Sequence, residues 1–441
     1  MPTRKTPRHE LPYYLLCVDE SGNERREADN TLLSERIVAA IDASAPRVTD
    51  VFLMSHGWKG DVPAAIEQYD RWIDAMADCD ADRARARVAR PGFTPLLIGY
   101  HWPSLPFGED AMGGNAFDTA AGAGADAFVE TWAARIADTP AARAALRTLF
   151  DAALDDLEPE RLSAAVIAAY QTLDREAGLG STGPVAAPEA DRAGFDPQQL
   201  YLDSLDLEAS FGGGLVGGLL SPLRQLSFWT MKKRGRVCGE TGGHRLLTAI
   251  RAAGGADLRI HLMGHSFGCI VVASMLRGSD PRHAFHVSSA LLVQGALSLW
   301  SFAQQLPGGG NAPGWFRPVL EQHRIKGPLV VTTSRHDRAV GSLYPVAAGA
   351  ARQVAFDTST AKLPTYGALG THGARGAGVD EEQRALVLGD VTSDYALKPG
   401  RVYNVNGDAV IRKGGGASGA HSDIAHAELG HLYWNAVLAA P

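Results

Sequence analysis

Seven short, mostly apolar runs set the frame of this chain: 13–18, 51–54, 95–100, 258–263, 290–293, 328–332 and 402–405. Each has the length of a strand and ends in small or polar residues, as strands buried on both faces do. Helical patterns at 62–77, 243–253 and 269–276 lie between them. Strand and helix in alternation predict an α/β fold, a mostly parallel central sheet with helices on both faces.

The rhythm breaks once. Between Pro106 and Arg236 about 130 residues carry helix-like patterning, far beyond a connecting loop. The expected organisation is a first core part over 1–105, an inserted helical cap over 106–236 and a second core part over 237–441. Inside the insertion Thr139 before Pro140 suits a helix start. Leu146, Leu149, Phe150, Ala153, Leu154 and Leu157 follow at three- and four-residue spacing, predicting an amphipathic helix. A second helix is expected over 161–173. The stretches 178–199 and 358–380 lack periodicity and read as mobile linkers. Segment 211–231 sets Gly212, Gly213, Gly214, Gly217 and Gly218 among Leu, Val, Phe and Trp residues. It reads either as a flexible apolar lid, suited to an acyl or lipid substrate, or as a buried packing segment, and the second is preferred.

Gly264-His265-Ser266-Phe267-Gly268 follows one apolar run directly and precedes a helical one. A nucleophile elbow needs a serine on a cramped strand-to-helix turn, with small residues two before and two after it so that backbones can approach. A serine hydroxyl is a weak nucleophile at neutral pH and needs a histidine base oriented by a carboxylate. Asp337, beyond the run 328–332 and the turn Ser334-Arg335-His336, is the expected acid; its bland counterpart is an aspartate that only caps a turn. Asp408 is the substitute. His421, after the last run and a glycine-rich loop, is the expected base. His426 and His431 fall within a helix expected over 423–438 and are set behind it.

The negative oxygen formed on attack needs N–H donors. Phe267, next after the nucleophile, offers one. The run 51–54 leads into Ser55-His56-Gly57-Trp58-Lys59-Gly60, and the Trp58 amide is expected to offer the other, its indole walling the acyl pocket.

Together these residues resemble the α/β-hydrolase superfamily outside the insertion. His56-Gly57-Trp58, then Trp102-Pro103-Ser104 at a strand end, then Gly-His-Ser-Phe-Gly is similar to a bacterial esterase/lipase-like branch of it. Trp58 departs from the further glycine of many members. The resemblance implies an acyl-enzyme mechanism without metal or cofactor, and a helical cap over the site. The expected activity is hydrolysis of a carboxylic ester. Peptidase, amidase or acyltransferase chemistry stays open on the same residues, as does a binding protein that keeps the fold without turnover.

The formal charge of -7 and pI near 6.1 argue against nucleic acid or an anionic membrane as main partner. One basic run, Lys232, Lys233, Arg234 and Arg236, reads as a solvated helix end. Cys17, Cys79, Cys238 and Cys269 lie too far apart for a zinc site or a disulfide scaffold. No apolar run is long enough to span a bilayer, leaving transient lipid contact as the membrane association considered, and residues 1–10 carry no secretory leader pattern. A cytoplasmic location is expected, with a small ester or acyl compound as partner.

Overall fold

The computed structural model describes residues 3–43, 46–58, 62–104, 124–180, 183, 187–211, 218–279, 285–306, 312–343, 363–378 and 385–441. The chain divides into two compact units, residues 1–104, 234–341 and 367–441 in the first, and 105–233 with 342–366 in the second.

The first unit is α/β. Its nine-stranded sheet runs β1 (Thr3–Lys5), β2 (Pro12–Cys17), β4 (Pro95–His101), β3 (Asp50–Ser55), β5 (Arg259–His265), β6 (Ser289–Val293), β7 (Leu329–Thr333), β9 (Val402–Asn406) and β8 (Leu386–Val387). Every neighbouring pair is parallel except β1 with β2. The strands expected from sequence all form. The short edge strands β1 and β8 were not foreseen; Thr3-Arg4-Lys5 carries no apolar signal, and its partner β2 makes it a strand.

Central position explains the apolar runs. All six residues of β3 are buried, because successive side chains point to opposite faces and both faces are covered. Phe52 and Met54 join Met263, Leu291, Val330 and Val405 in one core with Tyr69, Trp72 and Leu432. Those last residues lie on the helices Val62–Ala77 and Ala427–Leu438, which pack together with Asp80–Ala89. Helices Leu33–Ala43, His244–Gly254 and Gly268–Arg277 form a second packed group. The C-terminal helix begins at Ala427, not 423, so His426 precedes it. Asp423 is occupied instead by the amides of Arg412 and Lys413 and by His426, which keeps 423–426 out of the helix.

The second unit is helical. Thr139 Oγ1 accepts from the Ala142 amide, capping Pro140–Asp155. That helix buries Leu146, Leu149 and Phe150 against Ala164–Ala177, whereas Leu154 is exposed. Tyr366 packs on this core too, in line with its grouping away from the 237–441 part in which the sequence reading kept it.

Several expectations need correction. In 178–199, Glu189, Asp191 and Arg192 are buried. Arg192 pairs with Asp174 and lies over the rings of Phe195 and Trp229, so this part is packed and not a mobile linker. In 358–380, Leu369–His372 is a helix tied by backbone bonds to Leu297 and Gly295, and its flanking residues Gly367 and Arg375 bond to Leu299. Residues 181–182, 184–186, 358–362 and 379–380 lie outside the described residues. So do Gly212, Gly213, Gly214 and Gly217 of segment 211–231, while its Leu219, Leu223 and Trp229 are buried in the second unit's core, in line with the preferred packing reading. The basic run is not a solvated helix end. Lys232 is fully buried with its ammonium 4.4 Å from the Trp229 ring centre, and Lys233 caps the carbonyls of Ala177 and Gly178. Arg236 pairs with Glu240. Among the described residues no helix is long and apolar enough to cross a membrane.

Candidate active site

The turn from β5 into Gly268–Arg277 puts Ser266 at φ +55°, a left-handed conformation that L side chains rarely adopt. The surroundings hold it there. The Ser266 amide donates to Val293 O at 3.0 Å, and its carbonyl accepts from Cys269 and Ala296. Both flanking glycines are required by contact. A Cβ on Gly264 would lie 2.6 Å from Gly268 O, and one on Gly268 would lie 2.2 Å from Ser55 O.

Three side chains chosen from sequence stand in one hydrogen-bonded row. Ser266 Oγ donates to His421 Nε2 at 2.7 Å. His421 Nδ1–H donates to Asp337 Oδ2, also at 2.7 Å. Asp337 is buried, and the His421 side chain is 13% exposed. Each comes from a loop at the C-terminal end of its strand: Ser266 after β5, Asp337 after β7, His421 after β9.

The loops that carry Asp337 and His421 are bolted together. Asp337 bridges to Gly419, and the Ala420 amide donates to His336 O at 2.9 Å. Gly419 has φ +56°, and a Cβ there would meet His336 O at 2.4 Å. Behind His421, the buried ring of His265 donates from Nε2 to the His421 carbonyl at 2.8 Å. Its Nδ1 therefore accepts, from Gln68 Nε2 at 3.2 Å. His265, picked from sequence as part of the elbow, thus also supports His421.

Sequence reasoning missed Gln294. Fully buried at the end of β6, it donates from Nε2 to Asp337 Oδ2 at 2.9 Å and accepts from Thr332 Oγ1 at 3.1 Å. Its φ of +47° is a second left-handed position. A lone glutamine after an apolar run carries no pattern, so no sequence signal marked it.

Of the two expected oxyanion donors, Phe267 directly precedes Gly268–Arg277, where helix amides gather partial positive charge. Trp58 stacks on the Phe267 ring at 5.4 Å between centres. Gly57 lies against Ser266, since a Cβ on it would stand 3.0 Å from Ser266 Cβ. Lys59 and Gly60 lie outside the described residues.

The substitutes are engaged elsewhere. Asp408 accepts from the Arg335 amide at 2.9 Å. His426 pairs with Asp423 at 2.8 Å. His431 is buried between Asp82 and Ser393 O. Among the described residues no group of three or more His, Cys, Asp or Glu side chains is arranged to hold a metal ion.

The chain matches no protein-family model, no curated protein and no solved structure.

Proposed function

We propose that this protein is a serine hydrolase of the α/β-hydrolase type that cleaves a carboxylic ester through an acyl-enzyme. The observation that carries the reading is the Ser266–His421–Asp337 row, with both hydrogen bonds at 2.7 Å and the serine on a left-handed elbow. The strand order, and a nucleophile, acid and base that follow β5, β7 and β9 in that chain order, support the fold assignment.

In this mechanism Ser266 Oγ attacks the ester carbonyl carbon while its proton passes to His421 Nε2. Asp337 holds the imidazole in the tautomer that can accept there and stabilises the imidazolium that forms. The Phe267 and Trp58 amides receive the oxyanion, a contribution worth about 3 kcal/mol per donor. As the tetrahedral species collapses, the C–O bond to the leaving group breaks, and His421 delivers its proton to the departing alkoxide. Water then attacks the acyl carbon, giving one proton to His421. The second collapse breaks the bond to Ser266, which takes that proton back as the acid leaves.

The test is fluorophosphonate labelling of the purified chain, with the adduct located by mass spectrometry and Ser266→Ala as control, followed by p-nitrophenyl esters of graded chain length. An adduct on Ser266 with ester turnover is the expected result. A folded protein that neither labels nor turns over esters would remove the proposal.

A further inference from the structure

Past Ser55 and Tyr100, the last paired residues of β3 and β4, side chains stitch the two strand ends together. Tyr69 Oη accepts from the His56 amide at 3.0 Å and donates to Tyr100 O at 2.6 Å. Trp102 Nε1 donates to the His56 carbonyl at 3.1 Å, and its indole stacks on the His56 ring, centres 5.7 Å apart and planes 14° apart.

The His56 ring faces the next carbonyl along. Its Nδ1 lies 2.7 Å from Gly57 O. A carbonyl can only accept, so Nδ1 carries the proton, and Nε2 accepts from His101 Nδ1–H at 2.9 Å. Ser104 Oγ donates to the same Gly57 carbonyl at 3.3 Å. His56, His101, Trp102 and Ser104 are all buried. Burial, and next the neighbouring His101, push the His56 ring down to about 3, so it stays neutral and keeps this donor pattern across the range of ordinary assays.

A trans peptide points its C=O and its N–H in opposite directions. With the Gly57 carbonyl held toward His56 and Ser104, the Trp58 N–H is turned to the opposite side of that peptide. Gly57 itself backs onto the nucleophile, where an added Cβ would lie 2.9 Å from His265 Nδ1 and 3.0 Å from Ser266 Cβ. We propose that His101, Trp102 and Ser104, acting with His56, are positioning residues that aim the Trp58 amide at the oxyanion formed on Ser266. This rests on the ester-hydrolase reading and gives the Trp102-Pro103-Ser104 strand end a role in it.

The test compares Ser104→Ala, Ser104→Thr, His56→Leu and His56→Asn in the full chain. A p-nitrophenyl ester reports kcat and KM, and an aryl trifluoromethyl ketone, which forms an oxyanionic adduct on serine, reports Ki. Ser104→Ala lowers kcat about tenfold with KM within about twofold, and raises Ki by the same factor; His56→Leu does both by about a hundredfold. Ser104→Thr keeps the hydroxyl and restores the rate, and His56→Asn restores part of it through an amide N–H in place of Nδ1–H. A purely structural role would move melting temperature without this proportion between kcat and Ki. Unchanged kcat in both removal variants, or a fall in kcat with unmoved Ki, overturns the inference. Should His56→Leu not fold, Ser104→Ala decides alone. A wild type without labelling or ester turnover is a separate result that removes the hydrolase reading and this inference with it.

Discussion

Gln294 Nε2 and Asp337 Oδ2 are 2.9 Å apart, and that carboxylate oxygen is the one that receives His421 Nδ1–H. Oδ1 meanwhile accepts from the Val340 amide at 3.2 Å. The carboxylate that holds the His421 ring is thus contacted from three directions. Thr332 donates to Gln294 Oε1, which settles which end of the amide faces Asp337. Replacing Gln294 by Leu should lower kcat about tenfold with little change in KM, as loss of a group that orients a reactive side chain does. Thr332→Val, which leaves the Gln294 contact to Asp337 in place, should cost less. Steady-state kinetics of the two variants checks the ranking.

The base and acid assignments are separable by rate. Asp337→Asn should lower kcat by about three to four orders of magnitude, because the His421 tautomer is no longer enforced. His426→Gln and Asp408→Asn alter groups bound to Asp423 and Arg335, and should leave kcat within about threefold. A large loss in His426→Gln with activity kept in a His421 variant would reverse the assignment.

Backbone strain at the elbow gives a stability prediction. Ser266 sits at φ +55°, where a residue with a Cβ is held at a cost of about 1–3 kcal/mol. Ser266→Gly should therefore exceed Ser266→Ala in unfolding free energy by about 1 kcal/mol, the greater freedom of glycine in the unfolded chain cancelling part of the relief. Gly268→Ala should be severely destabilising, since its Cβ would meet Ser55 O at 2.2 Å and His56 O at 2.6 Å, both backbone atoms. Gly415, with φ -135° and nothing within 4 Å of an added Cβ, should accept alanine and serves as the control. Urea denaturation of the four variants gives the order.

The sheet was legible because burial on both faces leaves apolar runs without alternation, as in β3 and β6, and because the elbow demands small residues at fixed offsets. Ser266, Asp337 and His421 could be named from their places after such strands. Gln294 and the His56–His101 contact could not, because each depends on which strand ends become neighbours in space. The segment containing Ala368 and Leu369 looked like linker because its order comes from backbone bonds to Leu297 and Leu299, which leave no periodic trace. Lys232 misled for a related reason: charge reads as solvated until an aromatic neighbour such as Trp229 covers it.

Buried neutral histidines predict where acid lability begins. Burial, then His101, lowers His56 to about 3; burial, then Arg375, lowers His372 to about 4. Burial also lowers His261, outweighing its Asp50 contact. Each folded value lies below the unfolded one near 6.5, so between the two the unfolded chain binds a proton that the folded chain refuses. Unfolding free energy therefore falls as pH drops below about 6.5, well above the carboxylate range. Asp50 adds a second phase. Burial pushes its carboxyl up, but hydrogen bonds from His261 and Arg259 outweigh that and hold it well below the usual range. The stability it contributes is present above about pH 4 and is lost as pH falls further through the folded value. Asp50→Asn should cost about 3 kcal/mol at pH 7, because Arg90 and Arg259 keep their charges beside a neutral amide. It should also flatten the phase below pH 4 while leaving the fall that starts near 6.5. Thermal melts from pH 8 to pH 3 on both proteins test this, and an unchanged profile below pH 4 would remove Asp50 as its source.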